Sequence, residues 1–342
     1  MAQHFLLSSQ ARTLNIIKIA QMTEKQAETY FRKVRWANTN GKPVCPKCGS
    51  LEHYDLKGRS VWKCKNCYKQ FSITSGTLFA AHKLPLKTYL LAIALFTNEA
   101  KGMSALKMSR DLNVQYKTAF VLLHKFREAL LETRDETPMD GIVEMDGAYV
   151  NGYVRPKNNI NDRIDRRLAK HQNPNKRCII VVRQRNDGST ELVGSKRTLT
   201  YVLHNENTQD ILKIANNSIQ KGTEIHTDEA NAYDTLHAKY NMKRVDHSVE
   251  YYNQDTKACS NQAESYFARF RRFQEGQIHK MGNLYILNYA NEMAYREDTR
   301  RMSNGDIFND ISSKCMKSLQ SNEWTAYWQG NHRISERLGV AA

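Results

Sequence analysis

The sequence predicts a multidomain protein of the mixed α+β or α/β class, in which two small modules precede a mixed sheet flanked by helices. Its 342 residues allow two or three domains at roughly 100 to 200 residues each. Two Cys-x-x-Cys pairs mark a small N-terminal module, and apolar strands alternate with amphipathic helices further along the chain. We predict a helical segment (1–40), a cysteine module (41–80), a helical domain (81–137), a sheet domain (138–300) and a C-terminal tail (301–342).

The charge balance is strongly basic. Lys and Arg total 51 and Asp and Glu total 35, for a formal net charge of +16. Each phosphate neutralised by Lys or Arg releases a counterion, so nucleic acid is the partner that fits this chain best. The alternative is a basic protein without a polyanionic partner. A hydrophobic content of 40% excludes an intrinsically disordered chain.

The chain carries no pattern of membrane insertion or export. Its longest apolar run, Tyr89–Phe96, is far shorter than the roughly 18 to 20 residues that span a bilayer, and residues 1–20 lack the pattern of a signal peptide. We therefore expect a cytoplasmic protein without a membrane partner. Seven cysteines in such a chain argue against disulfides and favour a metal site or a catalytic thiol.

The first two modules are predicted from local spacing. Thr23 and Gln26 form a candidate capping box for a helix whose apolar residues recur at helical spacing. Fifteen residues separate two cysteine pairs, the spacing of a four-thiolate zinc ribbon with a closed, structural metal site. The alternative is ordinary buried thiols, and His53 between the pairs is interpreted as a loop residue. The predicted zinc ligands are Cys45, Cys48, Cys64 and Cys67.

The helical domain resembles a helix-turn-helix. A helix is predicted from about Leu86 to Thr97, followed by two helices within 104–126 joined by a turn at 112–114. The first residues of the second helix would contact base edges and phosphates in the major groove. The pattern is degenerate, so an ordinary helical hairpin is the alternative. The candidate DNA-contacting residues are Gln115, Tyr116, Lys117 and Thr118.

The sheet domain contains two strands that end in an acid. Strands are predicted at 141–146, 178–182, 191–193, 224–228 and around 243–246, with a helix beginning near Ser260. Asp146 and Asp228 terminate two of these strands, and Glu264 lies on the helix. Three such carboxylates can bind a pair of Mg²⁺ ions, or Mn²⁺ in their place, roughly 3.5 to 4 Å apart.

Each acid also has a structural interpretation. The two aspartates can cap turns, and Asn261 with Glu264 fits a capping box. Glu144 lies on the same strand face as Asp146 and is a candidate auxiliary ligand.

Basic residues surround the predicted acidic site. Arg271 follows Glu264 by seven residues, about two helical turns, so the two lie on one helix face and Arg271 is suited to steer phosphate. Arg269 and Arg272 flank it as candidate DNA contacts. Residues 153–177 hold eight Lys and Arg against two Asp, which predicts either a basic loop that orders on DNA or a solvated insertion.

Together these residues resemble the zinc-ribbon DDE transposases of bacterial insertion sequences, in the group called insertion-sequence family fifteen-ninety-five. The resemblance covers roughly Phe31 to Phe308. Gly147 departs from the family pattern, in which an acid often follows the first Asp. The matching segments are the four cysteines, 70–79, 143–146, 226–228, 261–264 with Arg271, and 291–296.

The resemblance implies an RNase-H-like core with Asp146, Asp228 and Glu264 as the triad and Arg271 as its basic partner. It also implies cleavage that frees a 3′-hydroxyl and attack of that hydroxyl on target DNA, both with Mg²⁺. The implied partners are double-stranded DNA, as the element's terminal inverted repeats and as target, and further copies of the chain in a homodimer or larger synaptic complex. The expected location is the bacterial nucleoid.

Two alternatives from other classes remain open. A DNA-binding regulator would keep the zinc ribbon and the helix-turn-helix, and its acids would serve only as caps. A nuclease of RNase-H type would hydrolyse DNA with Mg²⁺ without joining strands. Products of a reaction with DNA ends and target DNA distinguish all three.

Overall fold

The computed structural model describes residues 5–56, 58–166, 168–186, 194–246, 249 and 252–340. Two compact units are present: the first comprises the chain up to Arg134 with Arg301–His332, and the second comprises Asp135–Arg300 with the chain from Arg333 onward. Among the described residues, no helix is both long and apolar enough to cross a bilayer.

The regular elements are numbered in chain order. The α-helices are α1 (Ile16–Ala20), α2 (Glu24–Arg35), α3 (Leu86–Asn98), α4 (Ala105–Leu112), α5 (Tyr116–Glu132), α6 (Thr208–Ser218), α7 (Asn261–Phe273), α8 (Ile286–Asp298) and α9 (Asn304–Lys317). The β-strands are β1 (His53–Leu56), β2 (Val61–Cys64), β3 (Gln70–Ser72), β4 (Ile142–Val150), β5 (Arg177–Arg185), β6 (Ser195–Leu203), β7 (Glu224–Thr227) and β8 (Asn241–Arg244).

Helix α2 begins at the predicted capping box. The backbone N–H of Gln26 donates to the Thr23 hydroxyl at 3.3 Å, and the Thr23 N–H donates to the Gln26 side chain at 2.8 Å. These bonds satisfy backbone donors that the first helical turn leaves without partners. Ala27 and Phe31 are buried on the apolar face, so the predicted helix is confirmed.

Helix α9 completes the helical core of the first unit. It packs against α2, α3 and α5, and the Tyr30 hydroxyl donates to Asn309 at 2.7 Å. The sequence predicts residues 301–342 as a separate tail, whereas Arg301–His332 lie in the first unit and the chain from Arg333 onward lies in the second. The difference arises because Tyr30 and Asn309 are 279 positions apart, a separation that no local pattern reveals. The buried face of α9 consists of Phe308, Ile311, Ser312, Cys315 and Met316.

Helices α4 and α5 are joined by the predicted short turn. Ser104 caps α4 by accepting from the Lys107 N–H at 3.2 Å. Asn113 ends α4 in the left-handed conformation, with φ 51° and ψ 48°, which Asn tolerates better than most residues. The chain thus reverses within a few residues, and α4 and α5 pack against each other.

The second unit contains a mixed five-stranded sheet in the order β6-β5-β4-β7-β8. Strands β4, β5 and β6 pair antiparallel, whereas β7 runs parallel to β4 and β8 runs parallel to β7. Four predicted strands correspond to β4, β5, β7 and β8. The strand predicted at 191–193 lies outside the described residues, and β6 and α6 were not predicted.

Helices cover both faces of this sheet. On β5, Cys178, Ile180 and Val182 face a cluster that includes residues of α6, while Ile179 and Val181 face a cluster built with α7 and α8. A strand buried on both faces reads as a continuous apolar run, which is the pattern of residues 178–182. On β4, Val143 and Met145 belong to the α6 side, so the alternation directs Glu144 and Asp146 toward α7.

A half-buried aspartate connects α8 to β6. Asp298 accepts hydrogen bonds from the Thr198 N–H at 2.9 Å and hydroxyl at 2.7 Å. Burial raises the pKa of Asp298 from 3.8 to about 7, and the bonds from Thr198 partly oppose that rise. Because the folded state binds this proton more tightly, the associated stability is present below pH ~4 and is lost as the pH rises through ~7.

We expect the Asp298→Asn substitution to remove this pH dependence. In urea unfolding, the free energy of unfolding of wild type, measured relative to that of the variant, should fall by up to about 4 kcal/mol from pH 4 to pH 8. Substitution of the exposed Asp255 by Asn provides the control for a change in net charge. A difference that stays constant over this range would show that Asp298 does not titrate there.

Candidate active site and zinc centre

Four cysteines of the first unit form a metal site of the predicted kind. Their Sγ atoms all lie within 4.8 Å of one another. The Cys45–Cys67 and Cys48–Cys64 sulfur pairs are separated by 3.5 and 3.6 Å. Tetrahedral Zn²⁺ with Zn–S bonds of about 2.3 Å places its sulfurs roughly 3.8 Å apart, so the donor set and its spacing fit a structural zinc ion.

Tight turns of the backbone and an aromatic cluster support this site. The Gly49 N–H donates to the Cys45 carbonyl at 2.9 Å, and the Tyr68 N–H donates to the Cys64 carbonyl at 3.1 Å. Backbone N–H groups, first that of Cys67, lower the pKa of Cys64 to about 6 and so favour the thiolate. His53 is not a loop residue as predicted but opens β1, where its ring packs edge-on against Trp62.

Strand pairing brings two of the predicted acids together. In the parallel β4–β7 pair, Glu144 lies opposite His226. Asp146 and Asp228 each follow two residues later, so they lie beside each other. Strand β4 does not end at Asp146 as predicted but continues to Val150, whereas Asp228 directly follows the last residue of β7. One Asp228 oxygen accepts from the Ala230 N–H at 3.1 Å, and Asp146 Oδ1 accepts from the Gly147 N–H at 2.7 Å.

Helix α7 brings the third acid and the predicted arginine to the same place. Asp146, Glu264 and Arg271 line one open cleft of about 570 Å³. The helix is anchored to the sheet by Ala263, Tyr266, Phe267, Phe270 and Phe273, which are buried against it. The two-turn spacing from Glu264 to Arg271 therefore places a carboxylate and a guanidinium on the face of α7 that borders the cleft.

Mutual repulsion marks these acids as one electrostatic cluster. The pKa of Asp146 is raised to about 7, first by burial and then by the charges of Asp228, Glu206 and Glu264, while the Gly147 N–H acts in the opposite direction. Within the described part of the chain, no Lys or Arg nitrogen lies within 4.0 Å of the carboxylates of Asp146, Asp228 or Glu206. The cluster therefore concentrates negative charge without a side-chain counterion at these three residues.

The carboxylates form a donor set for divalent ions. Among the described residues, the four cysteines are the one group in which three or more ligand atoms all lie within 4.8 Å of one another. The carboxylate oxygens of the acidic cluster are therefore not all that close together. Two Mg²⁺ ions about 4 Å apart, with Mg–O distances of about 2.0 Å, accept oxygens up to roughly 8 Å apart. An all-carboxylate donor set is the chemistry that Mg²⁺ prefers.

Glu144 has a different role from the predicted auxiliary ligand. It is fully buried; its Oε2 accepts from the Gln262 N–H at 2.7 Å and the Ala263 N–H at 3.1 Å, and its Oε1 accepts from Arg185 Nε at 2.6 Å. A carboxylate at a helix N-terminus satisfies backbone donors and interacts favourably with the helix dipole. Glu144 therefore positions the first turn of α7, the turn that carries Glu264.

This arrangement excludes the capping-box interpretation of Glu264. A capping box needs the acid three residues after the N-cap. Helix α7 begins at Asn261 with Ser260 as its N-cap, and Ser260 makes no side-chain cap bond. Glu264 is thus four residues after the N-cap, and Glu144 accepts from the N–H groups of Gln262 and Ala263 instead.

We expect Glu144→Ala to lower the free energy of unfolding by about 3 to 5 kcal/mol, because it leaves Arg185 and two buried N–H groups without their partner. Denaturant unfolding measures this loss. Glu224 is the control, since its ion pair with Lys243 is partly solvated and it makes one hydrogen bond with the buried His226 ring, so Glu224→Ala should cost less, about 1 to 2 kcal/mol. Equal losses in the two variants would contradict the positioning role.

The candidate DNA contacts of α7 differ in their surroundings. Arg271 and Arg272 are exposed. Arg269 Nε lies 2.7 Å from Glu297 Oε1 on α8, so this guanidinium links two helices of the second unit. The predicted DNA contact of Arg269 therefore competes with a buried carboxylate, whereas Arg271 and Arg272 present their side chains to solvent.

The four candidate residues of α5 lie at its first turn. Gln115, Tyr116 and Lys117 are exposed and Thr118 is half-buried. The structure adds a neighbour that the sequence did not indicate, because Lys117 Nζ lies 5.4 Å from the centre of the Tyr327 ring. A cleft of about 500 Å³ between α5 and residues 324–329 is lined by Lys83, Gln115, Lys117, Lys125, Trp324 and Trp328.

Sequence reasoning missed Glu206, the fourth member of the acidic cluster. Glu206 follows β6, and its Oε1 accepts from the Tyr233 hydroxyl at 2.6 Å. Burial and the charge of Asp228 raise its pKa, although the bond from Tyr233 acts in the opposite direction. The sequence signal that could have indicated such a residue is Gly147, because the family resemblance leads us to expect an acid at this position.

Comparisons with known proteins match two segments of the chain. A family model described as the ISXO2-like transposase domain matches residues 138–298, and one described as the transposase zinc-ribbon domain matches residues 22–70. A similar curated protein is the uncharacterized protein in transposable element ISH50 of Halobacterium salinarum, which is 23% identical over 259 residues. The match covers 74% of this chain and 83% of that protein.

Proposed function

This chain belongs to the transposase family of the zinc-ribbon and ISXO2-like transposase domains, and we propose that it cleaves the 3′ ends of its own element and joins them to target DNA. The observation that carries the proposal is the convergence of Asp146, Asp228 and Glu264 beside the cleft that Arg271 lines. The strand order and the helices on both faces support an RNase-H-like assignment for the second unit.

The acids have distinct tasks in this proposal. Asp146, within β4, and Asp228, directly after β7, would hold two divalent ions, and Glu264 would complete the ligands of one of them. Bound Mg²⁺ supplies activation of the attacking oxygen and stabilisation of the leaving oxygen. Arg271 binds a phosphate of the DNA strand and orients it in line for water and then for the freed 3′-hydroxyl. No covalent protein intermediate is required.

DNA recognition is assigned to the first unit and to the basic segment of the second. The first turn of α5 is proposed to read the terminal repeats in the major groove as the second helix of a helix-turn-helix, and the zinc ribbon to contact phosphates. Residues 153–177 supply further positive charge, with Arg167 outside the described residues. Because two ends must be joined together, we propose a homodimer or larger synaptic complex.

A reaction with DNA tests the proposal. The substrates are the inverted repeats that flank the coding region and a supercoiled target plasmid, with Mg²⁺, with Mn²⁺ or with a chelator of divalent ions, and the products are separated on sequencing gels. Strand-transfer products that require the metal and vanish in Asp228→Asn support a transposase. The matched control is Asp234→Asn, which neutralises a largely exposed acid in the same region.

The other outcomes identify the alternatives. Metal-dependent cuts without joined products would indicate a nuclease. Specific binding to the repeats without any metal-dependent product, and without an effect of Asp228→Asn, would indicate a DNA-binding regulator.

A further inference from the structure

Gly147 leaves room for an acid from another part of the chain. A Cβ atom placed on Gly147 would lie 2.6 Å from Glu206 Oε1 and 2.9 Å from its carboxyl carbon. Real Cβ atoms do not approach an oxygen this closely, so any side chain at this position would displace Glu206. The carboxylate of Glu206 thus occupies the space that a side chain following Asp146 would fill.

Glu206 is held in this position by two tyrosines. The Tyr233 hydroxyl donates to Glu206 Oε1 at 2.6 Å, and the Glu206 N–H donates to the Tyr149 hydroxyl at 3.2 Å. Tyr233 is buried in the core on the α6 side of the sheet. The packed Tyr233 side chain and the backbone hydrogen bond therefore hold the carboxylate in one position, whereas a surface glutamate would exchange among several rotamers.

The acid lies next to the proposed metal ligands. Asp146 Oδ1 is bonded to the Gly147 N–H at 2.7 Å, so Asp146 and Glu206 both contact the same glycine from different sides. Glu206 also interacts electrostatically with Asp228. A carboxylate placed among other carboxylates costs free energy unless a cation compensates it, and no Lys or Arg of the described chain lies within 4.0 Å of Glu206.

We propose that Glu206 is a fourth carboxylate ligand of the divalent ions, supplied from the segment after β6 in place of the acid expected at position 147. This inference rests on the proposed function, because it needs the ion site formed by Asp146 and Asp228. It adds that Gly147 is required for metal binding, since only a residue without a Cβ leaves the Glu206 carboxylate in its place beside Asp146.

Binding of Mn²⁺ tests the inference without any DNA reaction. The full-length, zinc-loaded protein is titrated with Mn²⁺, and free Mn²⁺ is followed by electron paramagnetic resonance. Glu206→Gln keeps the acceptor for Tyr233 and should preserve the fold, which circular dichroism and thermal unfolding check. We expect it to weaken Mn²⁺ binding at least about tenfold, as for other groups that support a metal site.

Two further variants make the test specific. Glu229→Gln removes the same charge from an exposed acid beside Asp228 and should leave the affinity within about twofold. Gly147→Ala keeps every carboxylate but displaces Glu206 and should weaken binding as Glu206→Gln does. The proposal is overturned if Glu206→Gln binds Mn²⁺ as tightly as Glu229→Gln, or if Gly147→Ala binds like wild type.

Asp146→Asn in the same titration separates this inference from the proposed function. If Asp146→Asn loses Mn²⁺ and Glu206→Gln does not, the transposase proposal stands and the role of Glu206 is refuted. If Asp146→Asn binds like wild type, the ion site itself is absent and both proposals fail.

Discussion

Replacing Asp146 by Asn should lower strand transfer about 10³-fold or more while leaving the protein folded. The substitution removes a ligand from the ions that stabilise charge in the transition state, and a loss of about 4 kcal/mol of that stabilisation corresponds to this factor. Single-turnover assays with pre-cleaved DNA ends isolate the joining step from the earlier cut. A residual rate within tenfold of wild type would contradict the ligand role of Asp146.

The stability of this variant separates lost chemistry from lost structure. Burial and neighbouring carboxylates raise the pKa of Asp146 to about 7, so its charged form is disfavoured in the folded protein. Stability from the protonated group is therefore lost as the pH rises through ~7, and a neutral Asn avoids this loss. At pH 8 without divalent ions, Asp146→Asn should unfold at a temperature equal to or above that of wild type.

Removal of zinc should unfold the ribbon and weaken DNA binding. Structural Zn²⁺ contributes on the order of 10 kcal/mol to the folding of small metal domains, which β1, β2 and β3 cannot replace with their short pairings. Cys64→Ala should lose the bound zinc and lower affinity for the terminal repeats roughly tenfold or more, as phosphate contacts are lost. Metal analysis and salt-dependent binding assays measure both effects.

A second cysteine provides the control for this prediction. Cys315 is buried on α9 outside the thiol cluster, so Cys315→Ala should retain one zinc per chain and normal DNA affinity. If Cys64→Ala keeps its zinc, the four thiols do not form the predicted site. If it loses zinc but binds the repeats normally, the ribbon has no part in recognising DNA.

The predicted elements that the structure confirms depend on short-range spacing. The capping box at Thr23 and Gln26 spans three residues, and each cysteine pair closes its own tight turn. The apolar run at 178–182 lies in β5, and it has no polar side because helices cover both faces of this strand. Such patterns involve residues of one turn or one strand, so they can be recognised without knowing how the rest of the chain folds.

Some features of the acidic site were also predictable. The placement of Asp228 at the end of its strand follows from the sequence. Asp146 lies within β4 instead of at its end, and parallel pairing of β4 with β7 makes the two acids neighbours. The roles of these acids, and of Glu264 and Arg271, stay predictions that the variants above test. The sequence did not reveal β6 or α6, and the alternation of β6 alone does not indicate which strand it pairs with.

The sequence by itself determined the zinc ribbon, the strands that carry Asp146 and Asp228, and the transposase resemblance. Only the tertiary structure decided that Glu144 caps α7, across 118 residues, and that Glu206 occupies the space beside Gly147. The physical reason is that helical period, strand alternation and turn chemistry act over a few residues. The partner of a buried carboxylate is decided instead by which distant backbone groups the packed core brings within hydrogen-bond distance.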